Sequence, residues 1–130
     1  GQNYGWPIVS HNNSQPNMID PLVVFEGTVA PASAEFYNNK IKGFENNLFF
    51  GGLRGEGLFR IVFDNRDSAK PVFYERVSGT EKFGRIREVV TGPDGYIYFS
   101  TSNMESSGIT RPQDDKIFRL VPILMVNTKI

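Results

Sequence analysis

The chain contains no cysteine. That excludes disulfides, thiolate metal sites and a cysteine nucleophile, and it leaves the compartment open. There is one histidine, His11, in the polar stretch Ser10–Asn17. Chemistry that uses histidine as a base could run only through it, and a lone loop histidine reads instead as a solvated side chain. No apolar run approaches the roughly 20 residues of a membrane span. Lys plus Arg and Asp plus Glu balance at 14 each, with no basic run for a membrane surface or nucleic acid. No basic patch interleaved with aromatics of the kind used for RNA is present either. The N-terminus lacks Met and a basic-then-apolar leader, so Gly1 reads as a point where a longer chain was cut.

What the chain does have favours strands. It carries 11 Phe, 5 Tyr, 13 Gly and 8 Pro, a mix of strand formers and turn formers. Residues 1–20 read as loop, with one apolar cluster at Tyr4–Trp6 and Pro7. A Trp in such a Gly/Pro-bounded turn reads as an anchor that pins a loop to the body. Short strand candidates then recur: Leu22–Phe25, Ala34–Tyr37, Asn47–Leu53, Leu58–Phe63, Pro71–Val77, Arg85–Thr91, Tyr96–Ser102 and Lys116–Val121. Leu58–Phe63 is apolar enough to be buried on both faces. No window shows helical periodicity.

The turns are specific. In Gly92-Pro93-Asp94-Gly95, Pro presets φ, Asp tolerates a left-handed shape and Gly removes its steric cost. Arg85–Thr91 and Tyr96–Ser102 should therefore form an antiparallel hairpin. Arg54-Gly55-Glu56-Gly57 is a second turn candidate, and the polar stretch Asn103–Asp115 should loop out before the last strand. Strands this short and evenly spaced suggest a sandwich, a barrel or propeller blades. As blades, residues 33–78 would make one four-stranded antiparallel sheet and residues 84–122 an incomplete last one. Two such sheets cannot close a propeller, so on that reading the expectation is an all-β fragment.

Arg85 and Arg87 stand two apart on one candidate strand and should share a face. Like charges so placed repel unless an anion lies between or above them. The residues alone allow a bound anionic ligand, or pairing with Asp or Glu of a neighbouring strand. By themselves Arg54, at a strand end, reads as a solvated turn residue and Thr28 as a turn former. Asp114 and Asp115 read as solvated or paired with Lys116, and no metal is assigned to them.

Five blocks carry a resemblance. They are Gly1-Gln2-Asn3-Tyr4-Gly5-Trp6-Pro7; Thr28-Val29-Ala30-Pro31-Ala32-Ser33 with Phe36-Tyr37; Asn46–Arg54; Gly84–Val90 with Gly92–Tyr98; and Ser100–Asn103 with Asp114–Ile117. In this order, over roughly residues 1–122, the chain resembles the soluble quinoprotein glucose/sorbosone (aldose sugar) dehydrogenases.

The resemblance implies a six-bladed β-propeller that binds pyrroloquinoline quinone (PQQ) with Ca²⁺. It also implies that residues 1–130 are a C-terminal portion of one propeller domain. The family oxidises the C1 hydroxyl of aldoses to the lactone by hydride transfer to PQQ and passes electrons to an external acceptor. It works outside the cytoplasm, so a periplasmic or extracellular location is implied. PQQ is a planar tricarboxylate, and Arg forks grip carboxylates bidentately without losing charge. Arg85, Arg87, Arg54 and Thr28 fall on the family's cofactor-binding positions. The resemblance thus implies a ligand-gripping cation at Arg54 and a hydroxyl donor to a ligand oxygen at Thr28. Glu26 stands where relatives carry an aromatic residue, and Glu88 where they carry Asp. The family's catalytic base, a histidine, and its Ca²⁺ ligands are expected upstream of residue 1, and His11 does not match the base.

Two readings follow. The chain is the C-terminal part of a PQQ-dependent aldose dehydrogenase, inactive alone, with an aldose and an electron acceptor as partners. Alternatively it is a non-catalytic blade module for binding or assembly, self-associating through exposed blade faces. A propeller lactonase or esterase is weakened by the Arg85/Arg87 pair and the missing metal-ligand set.

Overall fold

A computed structural model describes residues 1–67, 69–105 and 108–123. Its regular elements are seven strands and one 3₁₀ turn. Strands β1 (Pro31–Tyr37), β2 (Asn47–Gly52), β3 (Gly57–Phe63) and β4 (Pro71–Arg76) form one antiparallel meander. The 3₁₀ turn Glu81–Phe83 leads to a second sheet of β5 (Ile86–Thr91), β6 (Ile97–Thr101) and β7 (Ile117–Leu120). The all-β architecture of antiparallel blades is the one expected from the sequence.

Strand alternation builds the core. Tyr37, Phe49 and Leu58 of the first sheet point at Ile86, Val89, Ile97 and Phe99 of the second, and all seven are buried. The sheets approach closely because β2 carries Gly51. A Cβ there would sit 2.4 Å from the Ile86 carbonyl oxygen, a separation that only glycine permits. The Tyr37 hydroxyl spans the same interface. It donates to the Gly95 carbonyl at 2.5 Å and accepts from the Ile41 amide at 3.0 Å, so its burial leaves no orphan polar atom.

The opposite face of the first sheet stacks Phe50 on Phe59 with ring centroids 5.2 Å apart. Val23, Phe25 and Val29 lie over it. Phe25 meets Phe50, Phe59 and Tyr74 edge-on. The expected strand Leu22–Phe25 is thus absent. The segment gains its burial from side chains laid across the sheet and makes no ladder with it. β3 is covered on both sides at Leu58 and Phe59, as its apolar content required.

The turns follow their chemistry. Gly95 has φ +80°, its amide donates to the Gly92 carbonyl at 2.9 Å, and the Asp94 carboxylate accepts from the Tyr96 amide at 3.1 Å. Residues Leu53–Glu56 form the β2–β3 turn, entering β3 through Gly57 at φ +101°. One expectation fails at the N-terminus. Trp6 is 82% exposed and anchors nothing. Its loop closes on itself instead, with the Ile8 and Val9 amides on the Gly5 carbonyl and the Ile19 amide on the Asn3 carbonyl.

Candidate functional site

Arg85 precedes β5 by one residue and does not lie within it. Its position is set by Asn103, which is completely buried. The Asn103 carboxamide accepts from the Arg85 amide at 2.9 Å and donates to the Phe83 carbonyl at 2.9 Å. Asn103 is held in turn by Asp115, whose carboxylate accepts from the Asn103 amide at 2.6 Å and from the Thr101 hydroxyl at 3.1 Å. These bonds lower the Asp115 pKa, the Asn103 amide contributing most. Asp114 accepts from the Arg111 amide at 2.6 Å. Both aspartates therefore brace backbone at the site's base, where the sequence suggested solvated side chains or pairing with Lys116.

From that base the Arg85 guanidinium spreads its fork. Nε donates to the Ser102 carbonyl at 3.0 Å, Nη1 to the Leu53 carbonyl at 3.1 Å, and Nη2 to Glu105 Oε2 at 3.0 Å. The residue is 9% exposed. Arg87 sits at a β-bulge. Ile86 pairs Thr101 and Glu88 pairs Ser100, leaving Arg87 without a register partner. A bulge re-aims the extra side chain, and Arg87 turns to donate through Nε to the Ser102 hydroxyl at 3.1 Å and through Nη2 to Glu105 Oε1.

One carboxylate thus bridges both guanidinium groups. The sequence left two partners open for this pair, a bound anionic ligand or an Asp or Glu of a neighbouring strand, and placed both arginines on one strand face by simple alternation. The structure pairs them with a carboxylate of the chain itself, Glu105 in the loop after β6. The convergence is present, but the bulge and the Asn103 brace produce it. The Glu105 carboxyl is held below its usual range, first by the Ser102 hydroxyl and then, against some desolvation, by the charge and hydrogen bonds of the two arginines.

Arg54 is exposed and faces a hollow of about 530 Å³ that it shares with Ala30, Leu53, Glu56 and Arg85. The turn carrying it is tied to residues 29–30 by amides of Leu53, Arg54 and Gly55 donating to the carbonyls of Ala30 and Val29. Thr28 is also exposed, but it lines the next hollow, with Glu26, Phe59 and Arg76. Arg54 and Arg85 line one hollow, Arg87 joins Arg85 through Glu105, and Thr28 lines a different hollow. Glu88, adjacent to the pair, instead accepts from the Ser33 hydroxyl and ties β5 to β1. Glu105, Ser102 and Asn103 were missed by sequence reasoning. The available signal was the arginine pair itself, which demands an anion. Glu105 is the first acidic residue after the β6 strand.

The glucose/sorbosone dehydrogenase family profile matches residues 1–111. The chain belongs to this family. Aldose sugar dehydrogenase YliI of Escherichia coli strain K12 is 30% identical over 122 residues, covering 83% of this chain and 31% of that protein. The Synechocystis protein slr1608 is 30% identical over 114 residues, covering 78% of this chain and 26% of that one. The PQQ-bound form of aldose sugar dehydrogenase from Streptomyces coelicolor superposes with a TM-score of 0.74 at 25% identity, over 92% of this chain and 33% of that structure. The chain spans about a third or less of the length of these glucose/sorbosone dehydrogenase relatives.

The donor set suits a polycarboxylate such as PQQ. Arg85 and Arg87 already share one carboxylate, so their forks are oriented for that chemistry. Arg54 adds a third cation at the neighbouring hollow. Among the described residues no three His, Cys, Asp or Glu side chains gather to hold a metal ion.

Proposed function

We propose that this chain supplies the cationic wall of a PQQ pocket in a sugar dehydrogenase that oxidises the C1 hydroxyl of an aldose to the lactone. The observation that carries the proposal is the convergence of Arg85 and Arg87 on a single carboxylate. When bound, PQQ supplies the hydride acceptor.

Arg87 and Arg54 bind ligand carboxylates directly. Arg85, buried and held by two backbone carbonyls, fixes the geometry and contributes charge in a poorly hydrated place, where it acts more strongly than in water. Thr28 orients a ligand oxygen from the next hollow. The sugar, the electron acceptor and work outside the cytoplasm come with the family reading. Among the described residues no helix is long and apolar enough to cross a membrane.

Proton removal from the sugar hydroxyl needs a base beside the departing hydride. His11 does not serve, because it is exposed and borders an apolar hollow with Pro21, Val23 and Phe25, away from the arginines. The 130 residues alone are therefore expected to bind PQQ without turning over glucose. An assay with PQQ, Ca²⁺, glucose and a dye acceptor tests the second point, and clear turnover would refute it. For the first, PQQ titrations of Arg85→Ala, Arg87→Ala and Arg54→Ala should each show weakened binding. Unchanged affinity for both Arg85→Ala and Arg87→Ala would overturn the site assignment.

A second reading, a blade pair that self-associates, is favoured by one observation. An open apolar hollow of about 500 Å³ over the first sheet is lined by the half-buried Val23, Phe25 and Leu48 and floored by the buried Phe50 and Ile61. Sedimentation of the chain across a concentration series separates the readings, since a module of that kind forms dimers without PQQ.

A further inference from the structure

The Glu105 carboxylate sits where the function proposed above would place a ligand carboxylate. We propose that Glu105 is a built-in occupant of this anion seat: it keeps Arg85 and Arg87 aligned before a ligand arrives and yields Arg87 to an incoming carboxylate. The inference rests on the reading that the arginine pair binds an anionic cofactor.

Three observations carry it. First, the two arginines are held unequally. Arg85 keeps the Leu53 and Ser102 carbonyls whether or not Glu105 stays. Among the described residues Arg87 has the Ser102 hydroxyl besides Glu105, and its side chain is 46% exposed. Arg87 is thus the guanidinium that can be re-partnered at small cost.

Second, Glu105 is able to leave. Its side chain is 48% exposed, and it follows β6 in non-strand backbone. Moving it breaks no ladder bond.

Third, the exchange is carboxylate for carboxylate. A ligand that replaces Glu105 on Arg87 restores the same charge-assisted hydrogen bond, and Glu105 retains Arg85. Without an internal anion, two guanidinium groups aimed at one point would repel and splay. With one, the pair is preorganised, and preorganisation lowers the ordering cost of binding. The same anion competes with the ligand, so Glu105 sets an upper limit on affinity.

The test uses the full chain with PQQ as the probe, measured by isothermal titration. Glu105→Gln keeps the side-chain shape and removes the competing charge. It is expected to bind PQQ about 2- to 5-fold more tightly, the range for releasing an exposed ion pair, and with a steeper loss of affinity in salt. Arg87 side-chain ¹⁵N resonances in unliganded Glu105→Gln should move toward those of a solvated guanidinium. Glu105→Asp, too short to bridge both arginines, should bind with intermediate strength and serves if the Gln variant fails to fold. A purely structural Glu105 would weaken binding on substitution. Equal or weaker binding by both variants, while Arg87→Ala still reduces affinity, overturns this inference and leaves the proposed function standing. Full affinity in Arg87→Ala removes both.

Discussion

Arg85 Nη1 donates to the Leu53 carbonyl at 3.1 Å, so a guanidinium just before the second sheet clasps the β2–β3 turn of the first. The same side chain that faces the candidate pocket is therefore also a structural cross-link. The proposed ligand contact and the structural cross-link are tied together at this residue and separated at Arg87.

That separation is measurable. Arg85→Ala leaves the Leu53 and Ser102 carbonyls without their donor and opens space beneath the pocket. Losing charge-assisted bonds in a buried place costs about 2–4 kcal/mol. Arg87→Ala, at a half-exposed position, should cost less than about 1 kcal/mol. Urea denaturation midpoints of the two variants provide the check. Equal midpoints would mean that Arg85 does not join the sheets.

The Tyr37 hydroxyl should matter beyond its ring. Tyr37→Phe keeps the packing and strands the Gly95 carbonyl and the Ile41 amide in the core. The expected loss is about 1–3 kcal/mol. Because Gly95 belongs to the β5–β6 turn, amide exchange at that turn should accelerate in the variant. A midpoint equal to wild type would show that water takes over both partners.

Gly51 admits no side chain. Gly51→Ala places a methyl against the Ile86 backbone, which cannot rotate away as a side chain would. Parting the sheets costs on the order of 1–3 kcal/mol or more. Gly27→Ala provides a control with open space around the added carbon, though at φ +74°. Thermal unfolding of both variants tests whether inter-sheet contact or backbone freedom dominates. A Gly51→Ala midpoint at or above that of Gly27→Ala would refute the close approach.

Stability should depend on acid in a defined window. Desolvation is the largest single influence and raises the Asp94 pKa, but the bonds from Arg119, the Tyr96 amide and the Tyr98 hydroxyl, with the Arg119 charge, together outweigh it and bring the value from 3.8 down to about 2. A carboxyl lowered on folding favours the folded state above its unfolded pKa and loses that contribution as pH falls through the folded value. Asp94 should thus contribute fully above about pH 4 and progressively less toward pH 2. Glu105 and Asp115, also lowered, act in the same direction. Asp94→Asn should flatten the drop in melting temperature between pH 4 and pH 2, and an unchanged slope would refute the assignment.

Much of the fold was legible because it is written in local patterns. Alternation around Phe49, Leu58 and Val89 and the turn residues at 92–95 specify strands and hairpins without reference to anything distant. Leu22–Phe25 misled for a physical reason. A short apolar run has the same composition whether it joins a ladder or lies across one, and only the partner decides. Trp6 misled similarly, since a large ring predicts burial only where something covers it.

The sequence by itself determined an all-β chain of short antiparallel strands, its family, and a pair of arginines that require an anion. The tertiary structure alone decided which anion meets them, and it is Glu105. It also decided that Arg85 is buried and bonded to two carbonyls while Arg87 is open to solvent. The cause is long-range: a bulge defined by pairing with β6, a brace from Asn103 and Asp115, and a carbonyl from the other sheet. No local pattern encodes contacts between segments so far apart along the chain.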